Sequence, residues 1–409
     1  MPGVCVQKII VAGASAAGLS AARELRRRGF TGALTLVDRE EGRPYRRPEV
    51  SKGVLQGLLS REDVGVPWPD DLDLFHRDAT EIDSLDTHAR ELTVSTASGS
   101  ERLPFDGLVV ATGATARPSP FPVARGVHTL RTFADSRRMQ AELAIARRVV
   151  IVGGGFIGLE VAAVCHALGT PAIVVEAAAA PLASVLGKEL SAHMVRLHTD
   201  RGVRIDAEAT VAEVHAGPDG AVRAVTLAGG TTLQTDLLLV AIGSRPEVGW
   251  LADTGLDVVQ GVRCDHTLAV EGLQNVVAAG DVAAWTNPRY DRRMRVEHWT
   301  NAVDQGMYAA RRLLGVHDEA GFSSAPYFWS DQFGMRLQSV GSTLDHDEAV
   351  VVEQDGDRML VVYGRQGTVQ AVAGIATGAA VIRLRPLVEA GVDMDTARAR
   401  AGELLLPRR

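Results

Sequence analysis

Two glycine-containing segments of this chain have the residue types and spacing of a site for nucleotide phosphates. Glycines at such a spacing let the backbone approach a pyrophosphate, and the amino end of the following helix attracts its negative charge. Each segment follows an apolar run, which predicts a strand, a turn and a helix. The three positions of the pattern are occupied by Gly13, Ser15 and Gly18 in the first segment and by Gly153, Gly155 and Gly158 in the second.

An acidic residue follows each turn, at the end of the next apolar run. Asp38 and Glu176 are placed to accept hydrogen bonds from a ribose. Two such units predict two bound dinucleotides, and a flavin with a nicotinamide is the natural pair for redox chemistry. Glu176 would repel a 2′-phosphate, and residues 177–180 are all alanine, so NADH is favoured over NADPH. The alternative is a pair of turns without ligands and two exposed carboxylates; Ser15 weakens the first match.

Size and charge restrict the class of protein. A chain of 409 residues exceeds one core, so two or three domains are expected. A net charge of −7 argues against a generic nucleic-acid binder. Cys5, Cys165 and Cys264 are far apart, so neither a CxxC pair, a disulfide framework nor a metal site is expected.

A strand starting by Lys8 leaves no room for a signal peptide. The apolar residues 149–175 are interrupted by glycines and an acid, so we expect a cytoplasmic protein without a membrane span.

The internal repeat extends beyond the glycine turns. Residues 106–113 and 236–243 each predict a buried strand ending in Ala-x-Gly, and residues 275–281 predict a third such strand. Residues 72–103 predict short strands, and residues 302–314 a helix. The last 90 or so residues predict a small antiparallel sheet, with strands at 335–340, 349–352, 359–363 and 369–373, followed by a helix at 379–389.

The chain resembles the flavin-dependent pyridine nucleotide-disulfide reductase superfamily. Within it, the chain is similar to the NADH–ferredoxin reductases of bacterial oxygenase systems, the putidaredoxin reductase-like group. The departures are Ser15 and the pair Glu49-Val50, where the group usually has Pro-Leu. The resemblance is carried by segments 44–52, 111–113, 153–160, 280–281, 296–299 and 328–332.

The resemblance implies an α/β fold with two Rossmann-like three-layer dinucleotide-binding domains, as in glutathione reductase, plus a C-terminal α+β domain. The implied domains are residues 1–114 and 244–320 for FAD, 115–243 for NAD, and 321–409. The implied FAD residues are Gly13, Ser15, Ala16, Gly18, Asp38, Arg47, Lys52, Ala111, Thr112, Gly113, Arg117, Gly280, Asp281, Glu297, His298, Trp299 and Trp329. The implied NAD residues are Gly153, Gly155, Phe156, Ile157, Gly158, Glu160, Glu176, Ile242 and Gly243.

Lys52 and Glu160 are the residues to which the resemblance assigns catalysis. The matching residues of the family meet at the reactive nitrogen of the flavin. A cation there stabilises electron density arriving on the ring, and a carboxylate positions and partly neutralises it. Without the family, Lys52 would be a solvated loop lysine and Glu160 a favourable acid in the first turn of a helix. Asp281 would then be a helix cap and Trp299 a core residue.

The missing cysteines bear on the electron acceptor. Disulfide reductases of the superfamily carry a cysteine pair after the first unit, and related peroxidases a single cysteine, but residues 39–60 contain none. Electrons must therefore leave the protein, which suits a [2Fe-2S] ferredoxin. A candidate docking patch comprises Arg289, Arg292, Arg293, Arg295, Arg311 and Arg312.

Three other functions stay open. They are reduction of rubredoxin, reduction of a quinone, and NADH sensing by a non-catalytic flavoprotein. A quinone reductase of this fold normally carries a membrane-binding C-terminal segment, and residues 399–409 are too short and too charged for one.

Overall fold

A computed structural model describes residues 6–69, 72–121 and 125–405. Cys5 and the last four residues of the segment 399–409 lie outside these ranges. No helix of the described residues is long and apolar enough to cross a membrane.

The secondary-structure elements follow in chain order. The first part contains β1 Lys8–Ala12, α1 Ala16–Arg27, β2 Ala33–Val37, β3 Phe75–Arg77, β4 Glu81–Asp86, β5 Glu91–Thr96, β6 Gly99–Pro104, β7 Gly107–Val110 and β8 Ala114–Ala116. The middle part contains β9 Val127–His128, α2 Phe133–Leu143, β10 Val149–Val152, α3 Phe156–Ala167, β11 Ala172–Val175, α4 Ala183–Thr199, β12 Arg204–Asp206, β13 Val211–Ala216, β14 Val222–Leu227, β15 Thr232–Gln234, β16 Leu237–Val240 and β17 Ser244–Pro246. The last part contains β18 Val262–Cys264, β19 Val276–Ala278, β20 Ala283–Asn287, β21 Arg292–Met294, α5 Trp299–Leu313, β22 Tyr327–Gln332, β23 Met335–Gly341, β24 Glu348–Asp355, β25 Arg358–Arg365, β26 Thr368–Ile375, α6 Ala380–Ala390 and α7 Met394–Leu405.

The chain divides into two compact units. The first comprises Met1–Arg46, Val64–Thr115 and Ser244–Ser324. Its centre is a five-stranded sheet in the order β19-β7-β1-β2-β3, with every neighbouring pair parallel. The residues of β7 and β19 are all buried, as are four of the five in β1, which is typical of a sheet covered on both faces. Smaller sheets formed by β4-β5-β6 and β18-β20-β21 complete this unit.

The second unit comprises Arg47–Asp63, Ala116–Gly243 and Ala325–Arg409. It contains another parallel sheet, in the order β12-β11-β10-β16-β9, and a small antiparallel sheet, β13-β14-β15. The C-terminal part is a five-stranded antiparallel sheet in the order β22-β23-β26-β25-β24. A separate apolar cluster, which includes Val362, Val372, Val381 and Leu384, joins this sheet to α6 and α7.

The predicted repeat is present in the strand pairing. Strand β1 lies between β2 and β7, and strand β10 lies in the same way between β11 and β16, all in parallel register. The predicted α/β class with a C-terminal antiparallel sheet is confirmed. The predicted C-terminal strands match β23 to β26 within a few residues, whereas β22 and α7 were not predicted. The helix expected at 302–314 begins earlier, at Trp299.

Candidate functional site: two glycine turns and a buried ion pair

The first glycine of each turn occupies the same unusual backbone conformation. Gly13 has φ +106° and Gly153 has φ +105°. A Cβ at either residue would lie 2.3 Å from a carbonyl oxygen, that of Ala111 or Ala241. These contacts are with backbone, so neither turn accepts a side chain at its first position.

The middle position of the turn has a different requirement. Ser15 has φ −74° and Gly155 has φ −73°, which any residue can adopt. A Cβ at Gly155 would have no atom within 4 Å. Serine in the first copy therefore leaves the backbone geometry of the turn intact.

The helices that follow the turns fit a phosphate ligand. Among the described residues, no side chain caps α1 or α3, and neither helix has an acid in its first turn. By contrast, α2 begins with a complete capping box formed by Thr132 and Asp135. Uncapped amino ends leave backbone N–H groups for an anion, and the helix dipole favours negative charge there. Both turns therefore fit the diphosphate of a dinucleotide.

The two turn positions should respond oppositely to alanine. We expect Gly153→Ala to destabilise the protein by about 2 kcal/mol or more. Its Cβ would be strained at this φ and would lie too close to the backbone oxygen of Ala241, which cannot move away as a flexible side chain can. Gly155→Ala should change the unfolding free energy by less than about 0.5 kcal/mol. It should nevertheless weaken NADH binding, because its methyl group would stand where the diphosphate approaches. Chemical denaturation and NADH titration of both variants measure these effects; equal destabilisation by both would contradict the steric argument.

The acidic residue after the second turn contacts the turn itself. Glu176 accepts hydrogen bonds from the backbone N–H groups of Gly154 (2.6 Å) and Ala178 (2.7 Å). Asp38 in the first copy accepts one from the N–H of Glu40 (3.3 Å). The carboxylate of Glu176 is therefore held at the carboxyl edge of β11, where a ribose would lie beside a diphosphate bound at the turn.

The other residues expected to contact FAD fall into both units. Those in the first unit are Gly13, Ser15, Ala16, Gly18, Asp38, Ala111, Thr112, Gly113, Gly280, Asp281, Glu297, His298 and Trp299, and those in the second are Arg47, Lys52, Arg117 and Trp329. The residues expected to contact NAD all lie in the second unit.

Several of the first-unit residues are fixed by bonds at strand ends. Thr112 donates to the carbonyl of Glu247 (2.7 Å), and the N–H of Gly280 donates to Gln305 (2.8 Å). Burial lowers the pKa of His298 to about 4, although the charge of Asp281 opposes the shift. His298 is therefore neutral near pH 7.

Lys52 and Glu160 form a buried ion pair. Lys52 Nζ lies 2.8 Å from Glu160 Oε1, and the two side chains are only 12% and 5% exposed. Lys52 also donates to the carbonyl of Pro48 at 2.8 Å. The solvated-lysine alternative is therefore wrong, and so is the first-turn alternative for Glu160, since α3 has no acid in its first turn.

Two serines that were not predicted complete the surroundings of Glu160. Ser51 and Ser330 both donate to its carboxylate, at 2.5 and 2.6 Å. Each belongs to a segment that carries the family resemblance, and Ser330 and Gln332 are polar residues two apart on a strand. That spacing places Ser330 and Gln332 on one face of the strand, and this pattern could have indicated Ser330 from the sequence.

Other predicted residues of the second unit have contacts within that unit. Arg47 donates to the carbonyl of Arg131 (3.0 Å), and the N–H of Arg117 donates to the carbonyl of Gly243 (3.0 Å). Phe156, at the start of α3, packs on Phe328 with ring centroids 4.7 Å apart.

Most arginines of the predicted docking patch have partners within the first unit. Arg293 pairs with Glu271 and Arg295 with Glu297. Arg311 bonds Glu24, and Arg312 donates to Thr267. Arg292 lies over the ring of Tyr290. The predicted arginines Arg292, Arg293, Arg295, Arg311 and Arg312 thus already have side-chain partners within the first unit.

Comparison with known proteins assigns the fold to a family. The chain is 37% identical over 401 residues to the 5,5′-dehydrodivanillate O-demethylase ferredoxin reductase subunit of Sphingobium sp., covering 95% of each chain. It is 35% identical over 348 residues to rhodocoxin reductase of Rhodococcus erythropolis, covering 84% of this chain and 80% of the other. A crystal structure of the covalent putidaredoxin reductase–putidaredoxin complex aligns with a TM-score of 0.89 and 27% identity, covering 96% and 95% of the two chains.

Two family descriptions account for nearly the whole chain. Residues 327–406 match the family described as reductase C-terminal. Residues 7–306, which contain both glycine turns and the Lys52–Glu160 pair, match the pyridine nucleotide-disulphide oxidoreductases. The chain therefore belongs to the pyridine nucleotide-disulphide oxidoreductase family, whose members use FAD and NAD(H).

Proposed function

We propose that this protein is an NADH-dependent ferredoxin reductase that supplies electrons to an oxygenase. The observation that carries the proposal is the pair of matched glycine turns in a chain without cysteine at residues 39–60. Two bound dinucleotides would account for the entry of a hydride, and without a thiol acceptor in this segment the electrons would pass to an external acceptor. The relative from Sphingobium sp. is a ferredoxin reductase subunit, which supports a [2Fe-2S] ferredoxin as the partner.

The proposed roles follow from charge and position. The first turn and Asp38 would hold the adenosine end of FAD, and the second turn and Glu176 would hold NADH. FAD accepts a hydride and releases electrons singly, which is what a one-electron partner requires. Lys52 would place a positive charge beside the reacting ring, and Glu160 would fix the ammonium group. We propose the domain limits 1–114 and 244–320 for FAD, 115–243 for NAD and 321–409, in a cytoplasmic protein.

The coenzyme preference is proposed to depend on Glu176. The carboxylate would accept hydrogen bonds from the ribose of NADH but repel the 2′-phosphate of NADPH. The cation of the neighbouring strand β12, Arg204, is already bonded to Asp206 at 2.7 and 2.8 Å.

Anaerobic reduction of the purified yellow protein tests the proposal. NADH should bleach the flavin much faster than NADPH, and cytochrome c reduction should depend on added [2Fe-2S] ferredoxin. Glu176→Ala should narrow the difference between the two coenzymes. A colourless protein, or one that NADH does not bleach, would refute the proposal. Equal or faster turnover with rubredoxin or a quinone would reassign the acceptor, and slow turnover with every acceptor would favour a sensor.

A further inference from the structure

The carboxylate of Glu160 is held by three donors from two other parts of the second unit. Lys52 Nζ and Ser330 Oγ share Oε1, at 2.8 and 2.6 Å, and Ser51 Oγ bonds Oε2 at 2.5 Å. Ser51 is 3% exposed and Ser330 is 1% exposed. A buried carboxylate requires such donors, and hydrogen bonds to a charged group are stronger than neutral ones. The orientation of Glu160 is therefore fixed at both oxygens.

Gln332 determines the direction of the Ser330 hydroxyl. Its Nε2 donates to Ser330 Oγ at 3.0 Å, so the serine oxygen already acts as an acceptor. The hydroxyl proton is then directed to Glu160. Ser330 and Gln332 are two residues apart on β22, both on its buried face. The resulting chain of donors runs from Gln332 through Ser330 to Glu160.

The end of β22 is anchored to the helices that surround the pair. Phe333 follows β22 in a turn with φ +52°. Its ring lies 5.3 Å from the ring of His166 on α3 and 4.8 Å from that of His198 on α4. Arg201 lies 5.1 Å from the same ring. These contacts fix β22 against α3, the helix that carries Glu160, so Ser330 reaches the carboxylate from a rigid position.

We infer that Ser330, oriented by Gln332, is a positioning residue for flavin reduction. It fixes Glu160 and, through that carboxylate, the ammonium group of Lys52. The inference rests on the proposed role of the Lys52–Glu160 pair. Without the Ser330 hydroxyl, Oε1 keeps only Lys52 as a donor, and the carboxylate can rotate about its remaining bonds. The C-terminal antiparallel sheet is then a part of the site where electrons enter, in addition to its structural role.

Ser330→Ala is the direct test. We expect flavin reduction at saturating NADH to slow on the order of fivefold. This factor corresponds to only a part of the free energy of a hydrogen bond to a charged group. The midpoint potential of the bound flavin, measured without NADH, should move to more negative values, in the same direction as for Lys52→Met and by less. Ser330→Thr keeps the hydroxyl and should restore both values.

A matched control separates positioning from general loss of a buried hydroxyl. Ser191 is also fully buried and donates to the carbonyl of Pro181 at 2.6 Å, outside the Glu160 network. Ser191→Ala should leave the flavin potential unchanged. Should Ser330→Ala fail to fold, Ser330→Cys keeps the volume with a much weaker donor, and the same loss of rate and shift in potential are expected from it.

A double variant distinguishes this inference from the function on which it rests. In a Lys52→Met background, Ser330→Ala should have almost no further effect on the reduction rate or the flavin potential, because the ammonium group through which Ser330 acts is absent. An equal fold-change in both backgrounds, or a wild-type potential in Ser330→Ala, would overturn the inference. If Lys52→Met itself leaves rate and potential unchanged, the proposed role of the ion pair fails instead.

Discussion

Replacing Lys52 by methionine is expected to slow the reduction of bound flavin by NADH about 30-fold. Two unit charges about 4 Å apart interact by roughly 4 kcal/mol at an effective dielectric near 20. If the transition state loses about half of such an attraction between the ammonium group and the negative charge arriving on the flavin, the rate falls by about this factor. Lys52 is only 12% exposed, so solvent screens its charge little. Anaerobic stopped-flow absorbance measures the rate, and a reductive titration measures the flavin potential, which should fall.

Glu160→Gln is the matched partner of that variant. It removes the charge that holds Lys52 but keeps the volume and one acceptor oxygen, so that one of the two serines, Ser51 or Ser330, loses its acceptor. We expect a smaller effect than for Lys52→Met, and a double variant no slower than Lys52→Met alone. A wild-type rate together with a wild-type potential in Lys52→Met would remove the lysine from the mechanism.

Replacing Glu24 by glutamine is expected to lower the unfolding free energy at pH 7 by about 3 kcal/mol. The side chain of Glu24 is 2% exposed and bonds Arg27, Arg28 and Arg311. Burial alone raises the pKa of this carboxyl, but the hydrogen bonds from the three arginines outweigh it and lower the pKa from 4.5 to about 2. A shift of this size corresponds to about 3 kcal/mol of stability. Chemical denaturation of both proteins measures the difference.

The pH dependence of that difference is a second observable. Because the pKa is lower in the folded state, the stabilisation is fully present above pH 4.5 and is lost as the pH falls towards about 2. The stability curves of wild type and Glu24→Gln should therefore converge at acid pH. Glu403→Gln is the control, since the Arg400–Glu403 pair is mostly exposed and contributes little. A difference that does not depend on pH would mean that packing, and not charge, is responsible.

The repeated units were predictable because local rules determine them. An apolar run, a glycine with positive φ and an uncapped helix can be recognised in a short segment, and both copies carry all three. Helix α5 began earlier than predicted because Trp299 packs against the core, which sequence periodicity does not reveal. Helix α7 was missed because its polar sequence gives a weak apolar pattern, and its buried residues, such as Ala397 and Ala401, are small.

The surroundings of Glu160 were only half predictable. The family resemblance indicated Lys52 and Glu160, but a resemblance assigns roles to matching positions and not to the groups that orient them. Ser51 and Ser330 are 279 residues apart in the numbering, and only the packing of two separate segments, β22 and the segment that contains Ser51, against α3 brings both hydroxyls to one carboxylate. The partners of the predicted docking arginines were not predictable for a similar reason, since Glu24, Glu271 and Glu297 are distant or unremarkable in the sequence.

The backbone angles at Ser15 and Gly155 bear on how such chains are recognised. A search that demands glycine at all three positions would count one dinucleotide cradle here and miss the other. A positive φ dictates glycine at the first position, whereas the middle position has an ordinary φ and is left to the ligand. The residue type at the middle position can therefore vary with the ligand. A residue other than glycine at the first position would indicate that the turn no longer forms a dinucleotide site.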